Sequence, residues 1–133
     1  EAIRHFNEAL RLEPDSAKTH LNIGNAMRRQ GKLEEAIHYY TEALRLVPNF
    51  ARAHTNLGLV LADQGRYFEA IDHHKEALRI APEFAGAHNN LANVLVRQGY
   101  LEKAMMHYNE ALRLNPGDAA ASRGLREAES SGP

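Results

Sequence analysis

Eight histidines stand in a chain that has no cysteine, so imidazole is the first group whose metal and acid–base chemistry must be weighed. Two ligands on one helix face need a separation of three or four residues, and no two histidines have it. His73 and His74 are adjacent, which on a helix turns them roughly 100° apart. His20, His54 and His88 recur at a constant interval, as packing positions do. The serines Ser16, Ser122, Ser130 and Ser131 have no histidine placed to activate them. Asp72 with Glu76, and Glu34 with Glu35, read as solvated helix faces, like the Glu42–Arg45 pair, because no cleft-forming feature accompanies them. There is no glycine-rich phosphate loop and no His-Glu-x-x-His. No catalytic residue, metal site or cofactor is expected, and the chain is not expected to be an enzyme by itself.

The elements that must position any other function come from composition and repetition. The 133 residues are 44% apolar and 25% charged, globular averages. Sixteen Lys and Arg against 17 Asp and Glu leave a net charge of −1, so no nucleic-acid partner is expected. No apolar run approaches the ~18 residues of a membrane span, so no membrane contact is expected either. The chain opens Glu1-Ala2-Ile3 with no initiator Met and is expected to be a segment of a larger protein.

Pro14, Pro48, Pro82 and Pro116 stand 34 residues apart. Cutting at them gives units 15–48, 49–82 and 83–116, the back half of an earlier unit at 1–14, and the front of a later one at 117–133. Eleven columns are identical in the three units, among them His20/54/88, Asn22/56/90, Gln30/64/98, Gly31/65/99, Ala36/70/104 and the Glu-Ala-Leu-Arg run at 42, 76 and 110. Within a unit the spacing is helical: His20, Ile23, Gly24 and Met27, then Leu33, Ala36, Ile37, Tyr40, Ala43, Leu44 and Val47. Gln-Gly ends the first helix and proline ends the second. Asp15, Asn49 and Asp118 are expected to cap the helices that follow. About seven helices are expected in all. Gly24, Gly58 and Ala92, with Ala36, Ala70 and Ala104, remove bulk where helices must approach closely. Ala119, Ala120, Ala121, Leu125 and Ala128 are expected to cover the third unit, and residues 130–133 to fray. A single helix pair cannot bury both of its apolar faces, so the pairs must stack.

These residues resemble the tetratricopeptide repeat. His20, Ile23-Gly24, Met27, Ala36, Tyr40, Ala43 and Pro48 follow its 34-residue pattern, as do their counterparts one and two units on, with histidine where the family often has tryptophan or tyrosine. The resemblance covers residues 1 to about 125. It implies an all-α, right-handed superhelical solenoid of antiparallel helix pairs, running as one domain over 1–133.

Helix rotation of ~200° per two residues sets Lys18, Leu21, Asn22, Asn25, Arg28 and Arg29 opposite the packed face of the first helix. The corresponding stripes hold Arg52, Thr55, Asn56, Leu59, Ala62 and Asp63, then Gly86, Asn89, Asn90, Asn93, Val96 and Arg97. Asn22, Asn56 and Asn90 do not vary, although asparagine is a poor helix former, and stacking would align their amides as a ladder. Each amide can meet a peptide main chain with both a donor and an acceptor. The resemblance implies that these first helices line a concave groove that takes peptides. The expected partner is therefore a protein or extended peptide segment, bound through Asn22, Asn25, Asn56, Asn89, Asn90, Asn93, Lys18, Arg28, Arg29, Arg52 and Arg97. Adaptors that grip a C-terminal carboxylate are a poorer match, because Leu21, Gly86 and Asn90 occupy their cationic places. Units two and three are similar to repeats of O-linked N-acetylglucosamine transferases, which makes a substrate-selecting segment of a glycosyltransferase the alternative. A self-assembling array is a further one: the half-unit 1–14 would leave Ile3, Phe6, Ala9 and Leu10 unpartnered on one side and favour self-association.

Overall fold

The structure, a computed structural model, describes residues 2–12 and 15–131, with the side chains of residues 2, 3 and 6 outside that description. Eight helices are present among the described residues, one more than the spacing suggested: α1 Ala2–Leu12, α2 Ala17–Arg29, α3 Leu33–Leu46, α4 Ala51–Asp63, α5 Tyr67–Ile80, α6 Ala85–Arg97, α7 Leu101–Leu114 and α8 Ala119–Ser131. The extra break falls between Leu12 and Ala17, where the unit boundary after the leading half-unit repeats the one seen later. The expected stop at Pro14 lies outside the described residues.

The turns inside each unit follow from glycine. Gly31, Gly65 and Gly99 take φ of 76°, 79° and 85°, left-handed values that cost glycine little. The Gly31 N–H donates to the Arg28 carbonyl and the Lys32 N–H to that of Met27. This double closure consumes carbonyls a helix end would otherwise leave unpaired. It recurs at Gly65/Arg66 and Gly99/Tyr100. The chain is thereby reversed at the same place three times.

Helix pairs α2/α3, α4/α5 and α6/α7 form the tightest contacts, and each second helix then packs on the first helix of the next unit. First helices also touch one another, α2 to α4, α4 to α6 and α6 to α8, whereas among the described residues no two second helices do. The stack therefore bends with its first helices on the inside. Ala36, Ala43, Ala70, Ala77, Ala104 and Ala111 are fully buried, which lets neighbouring backbones close on one another. A Cβ added at Gly24 would lie 2.6 Å from Tyr40 Cε1, and one at Gly58 2.6 Å from His74 Cε1. In the third unit Ala92 takes that register position, and the Tyr108 ring sits over Gly124 of α8, where a Cβ would lie 2.5 Å from its Cε1.

Several expectations are corrected. Leu21 belongs to the core at 2% exposure, because the stacked neighbour α4 covers what a lone pair would leave open. Val47, at the end of its helix, is 44% exposed. Ala119 and Ala120 are exposed, so Ala121 and Ala128, with half-buried Leu125, cover the third unit. α8 continues through Ser131, with the Ser130 and Ser131 hydroxyls donating to the Arg126 and Glu127 carbonyls. Gly132 and Pro133 lie outside the described residues.

The caps differ too. Ser16, not Asp15, caps α2 by accepting from the Thr19 N–H, while Asp118 accepts from the Ala121 N–H as expected. Asn49 instead accepts from the Arg79 guanidinium, and the cap position of α4 is Phe50. The cap position of α6 is Phe84.

Candidate functional site

A polar chain runs between repeats along the inner helices. The Tyr40 hydroxyl donates to Asn25 Oδ1 at 2.6 Å, and Asn56 Nδ2 of the next repeat donates to the same oxygen at 2.9 Å. One repeat on, His74 Nδ1 meets Thr55 Oγ1 at 2.7 Å, and Asn90 Nδ2 donates to that oxygen at 3.4 Å. In the third repeat the Tyr108 hydroxyl donates to Asn93 Oδ1 at 2.5 Å. All three repeats pair a ring on the second helix with an oxygen on the first, and in the first two the ladder asparagine of the following repeat joins it. Where the ring is Tyr the acceptor is Asn25 or Asn93. Where it is His74, that register position is Leu59 and Thr55 serves instead. Burial holds the hydroxyls of Tyr40 and Tyr108 protonated above their ordinary range, which suits them as donors. Burial also pushes the His74 imidazole down to about 4, so His74 is neutral near pH 7.

This network fixes where the sequence-derived residues stand. Asn25, Asn56, Asn89 and Asn90 are half-buried, and Asn22 and Asn93 are exposed. Asn56 and Asn90 spend an N–H on the previous repeat and keep Oδ1 for another partner. Asn22 makes no side-chain hydrogen bond among the described residues. Arg28 is half-buried, while Lys18, Arg29, Arg52 and Arg97 are exposed. Arg97 Nη1 donates to the Tyr67 hydroxyl.

Arg11, Arg45, Arg66, Arg79 and Arg113 each pair with a glutamate three residues away. Lys18, Arg29 and Arg52 of the inner helices have no ion pair among the described residues.

A cavity of about 760 Å³ opens where three successive repeats meet. Lys18, Leu21 and Asn22 come from α2, Phe50, Ala51 and Arg52 from the start of α4, and residues 81–84 from the turn before α6. A smaller cavity of about 140 Å³ lies further along, between α4 and α6, among Leu59, Asp63, Asn90, Asn93 and Arg97. The inner helices therefore carry a continuous set of polar and cationic groups flanked by hollows. Phe50 and Phe84 were missed from sequence, although each stands two residues after a unit-closing proline.

Sequence separation also concealed two imidazole pairs. His54 Nδ1 faces His73 Nδ1 at 3.1 Å, and His88 Nδ1 faces His107 Nδ1 at 3.0 Å. Their centroids are 5.4 and 5.2 Å apart, too far for face-to-face rings at those N···N distances, so the rings meet edge to edge through one proton. His54 Nε2 and His88 Nε2 each lie 3.0 Å from a proline carbonyl, Pro48 or Pro82. That carbonyl requires an N–H, so in the neutral pair Nδ1 of His54 and His88 accepts. Burial, then the partner imidazole, pushes His73 and His107 below the ordinary histidine range. Among the described residues no three His, Cys, Asp or Glu are grouped to hold a metal ion, and no helix is long and apolar enough to cross a membrane.

Known structures share this architecture. The first tetratricopeptide domain of Spaghetti (RPAP3), solved with the HSP90 peptide SRMEEVD, superposes with a TM-score of 0.84 at 23% identity, over 87% of this chain and 92% of its own. MamA gives 0.86 at 25% identity, over 97% and 75%. YrrB, described as a protein of this repeat type with an unusual peptide-binding site, gives 0.83 at 28% identity, over 92% of this chain and 63% of its own. No curated protein matches the chain in sequence. The family described as "TPR repeat" matches residues 1–31 and 24–65, and that described as "Tetratricopeptide repeat" matches 49–117. The latter alone spans over half of the residues, and the chain belongs to the tetratricopeptide repeat family.

Proposed function

We propose that this chain is a non-catalytic protein-binding module whose inner helices hold an extended peptide by its main chain. The observation that carries the reading is the ladder: Asn22, Asn56 and Asn90 occupy one register, and the inter-repeat bonds hold the latter two amides in place before any ligand arrives. Preorganisation lowers the ordering cost of binding. Asn22 offers both donor and acceptor, while Asn56 and Asn90 offer chiefly Oδ1 to the N–H groups of a passing chain. Lys18, Arg29 and Arg52 add attraction for acidic peptides, screened by salt. That structurally similar proteins are described with a bound peptide or a peptide-binding site supports the same reading.

The test is selection from a displayed random-peptide library on the immobilised chain, followed by titration of the Asn22→Ala, Asn56→Ala and Asn90→Ala variants. Each should weaken a selected peptide by about 0.5–1.5 kcal/mol, the net worth of an ordinary hydrogen bond. Asn22→Ala is the cleanest, because no internal bond is lost and alanine favours the helix. Undiminished binding in all three variants would make the ladder purely structural.

A further inference from the structure

The groove reading leaves open what kind of side chain the peptide must carry, and the N-terminal ends of α4 and α6 answer it. The cap position of a helix strongly prefers Ser, Thr, Asp or Asn, whose side-chain oxygen satisfies an otherwise unpaired N–H. The starts of α2 and α8 obey, through Ser16 and Asp118. α4 and α6 carry Phe50 and Phe84 there, with no side-chain cap bond. Both phenylalanines are half-exposed, and both line the cavity of about 760 Å³. Gly86 lies beside the Phe84 ring, where a Cβ would stand 3.3 Å from Cε1. Lys32, Arg66 and Tyr100 at the starts of α3, α5 and α7 make no side-chain cap bond either, so what sets Phe50 and Phe84 apart is that two consecutive repeats place an aromatic ring on the same hollow.

The hollow also carries two cations. Lys18 and Arg52 line it and have no ion pair among the described residues, whereas the arginines paired with glutamate stand elsewhere on the surface. Glu83 lines it from the turn before α6, which directs an incoming acid away from that turn.

Resting on the groove reading above, we propose that this cavity is an anchor pocket for one bulky apolar side chain of a peptide, flanked by an aspartate or glutamate that meets Lys18 and Arg52. The phenyl rings of Phe50 and Phe84 grip the apolar residue, and Asn22 holds the adjoining main chain. Recognition is by an internal acidic–apolar pair and needs no free C-terminal carboxylate.

The probes are fluorescein-labelled decapeptides, acetylated and amidated, with one central Phe flanked by Asp in a Gly/Ser background. Control peptides replace the Phe by Ser, or the Asp residues by Lys. Anisotropy with the wild-type chain should rank the Asp–Phe peptide first by about tenfold or more, the scale of burying one large apolar side chain. Phe84→Ser and Phe50→Ser should each abolish that preference. Phe50 also packs against the core, so the melting control is Phe84→Ser: because serine restores a capping residue, that variant should melt no lower than wild type, and a collapse of its melting temperature would mean that the ring serves packing. Arg52→Ala should halve the salt dependence of binding without removing the Phe preference. Equal binding of the Phe and Ser peptides to the wild-type chain overturns the pocket. If Asn22→Ala weakens both alike while they bind equally, the groove reading survives and the pocket falls. If the Asp–Phe peptide tolerates the ladder substitutions but is lost in Phe84→Ser, the pocket stands and the ladder falls.

Discussion

His74 shows how much one buried side chain can decide. It is fully buried, bonded to Thr55, and held neutral by burial with a pKa of about 4. Because the folded value lies below the ordinary 6.5, the stability it represents is complete above pH 6.5. It is lost as pH falls from 6.5 toward 4, where the unfolded chain gains the proton first, and levels off below 4. The gap corresponds to roughly 3 kcal/mol. His73 and His107 are lowered in the same sense, so urea midpoints should fall steeply between pH 6.5 and 4.5. The first repeat supplies a control. Changing His74→Tyr, Thr55→Leu and Leu59→Asn together would copy the Tyr40, Leu21 and Asn25 arrangement into the second repeat, with Asn90 bonding the new Asn as Asn56 bonds Asn25. That variant should keep its stability near pH 7 and show a shallower acid loss. An unchanged urea midpoint profile from pH 7 to 4.5 would show that His74 is not the acid-sensitive group. The exchange of a Tyr–Asn pair for a His–Thr pair was invisible in the sequence because its members lie 15 or 19 residues apart on different helices.

The helices were legible wherever one local rule decided them. Gln-Gly ended three of them because only glycine takes the left-handed turn cheaply. Two of the three expected caps were misread: Asp15 and Asn49 each stand one residue before the actual cap position, at Ser16 and Phe50, whereas Asp118 caps α8 as expected. Packing between helices raises a finer correspondence. Repeats one and two have glycine under the ring of the second helix and asparagine in the next ladder position. Repeat three has Ala92 in place of that glycine and Gly124 in the ladder position. Tyr108 has moved over the glycine that replaced the asparagine. Gly124→Asn alone should therefore destabilise by about 1–3 kcal/mol through overpacking. Adding Ala92→Gly should return part of that loss, a coupling that a double-mutant cycle by chemical denaturation would measure. Strict additivity of the two changes would disprove the compensation.

Among the described residues each repeat contacts only its neighbours, so stability should be lost locally and pass from one repeat to the next. The repeat period and the antiparallel pairs were plain in the sequence. What was not plain was which positions only stacking could bury, such as Leu21 and Thr55 at 2% exposure. The two end helices are unequal. α1 touches α2 sparingly, whereas α8 packs extensively on α7 and also reaches α6, placing Ala121 and Ala128 in the core and Gly124 beneath Tyr108. Deleting residues 1–14 should therefore lower the melting temperature slightly and leave amide protection in α2 and α3 nearly intact. Deleting 117–133 should strip the cover from Tyr108 and collapse protection in α6 and α7 first, with α2 and α3 affected least. Hydrogen exchange followed by mass spectrometry reads both outcomes. A uniform loss of protection after either deletion would show one cooperative unit rather than a chain of neighbours.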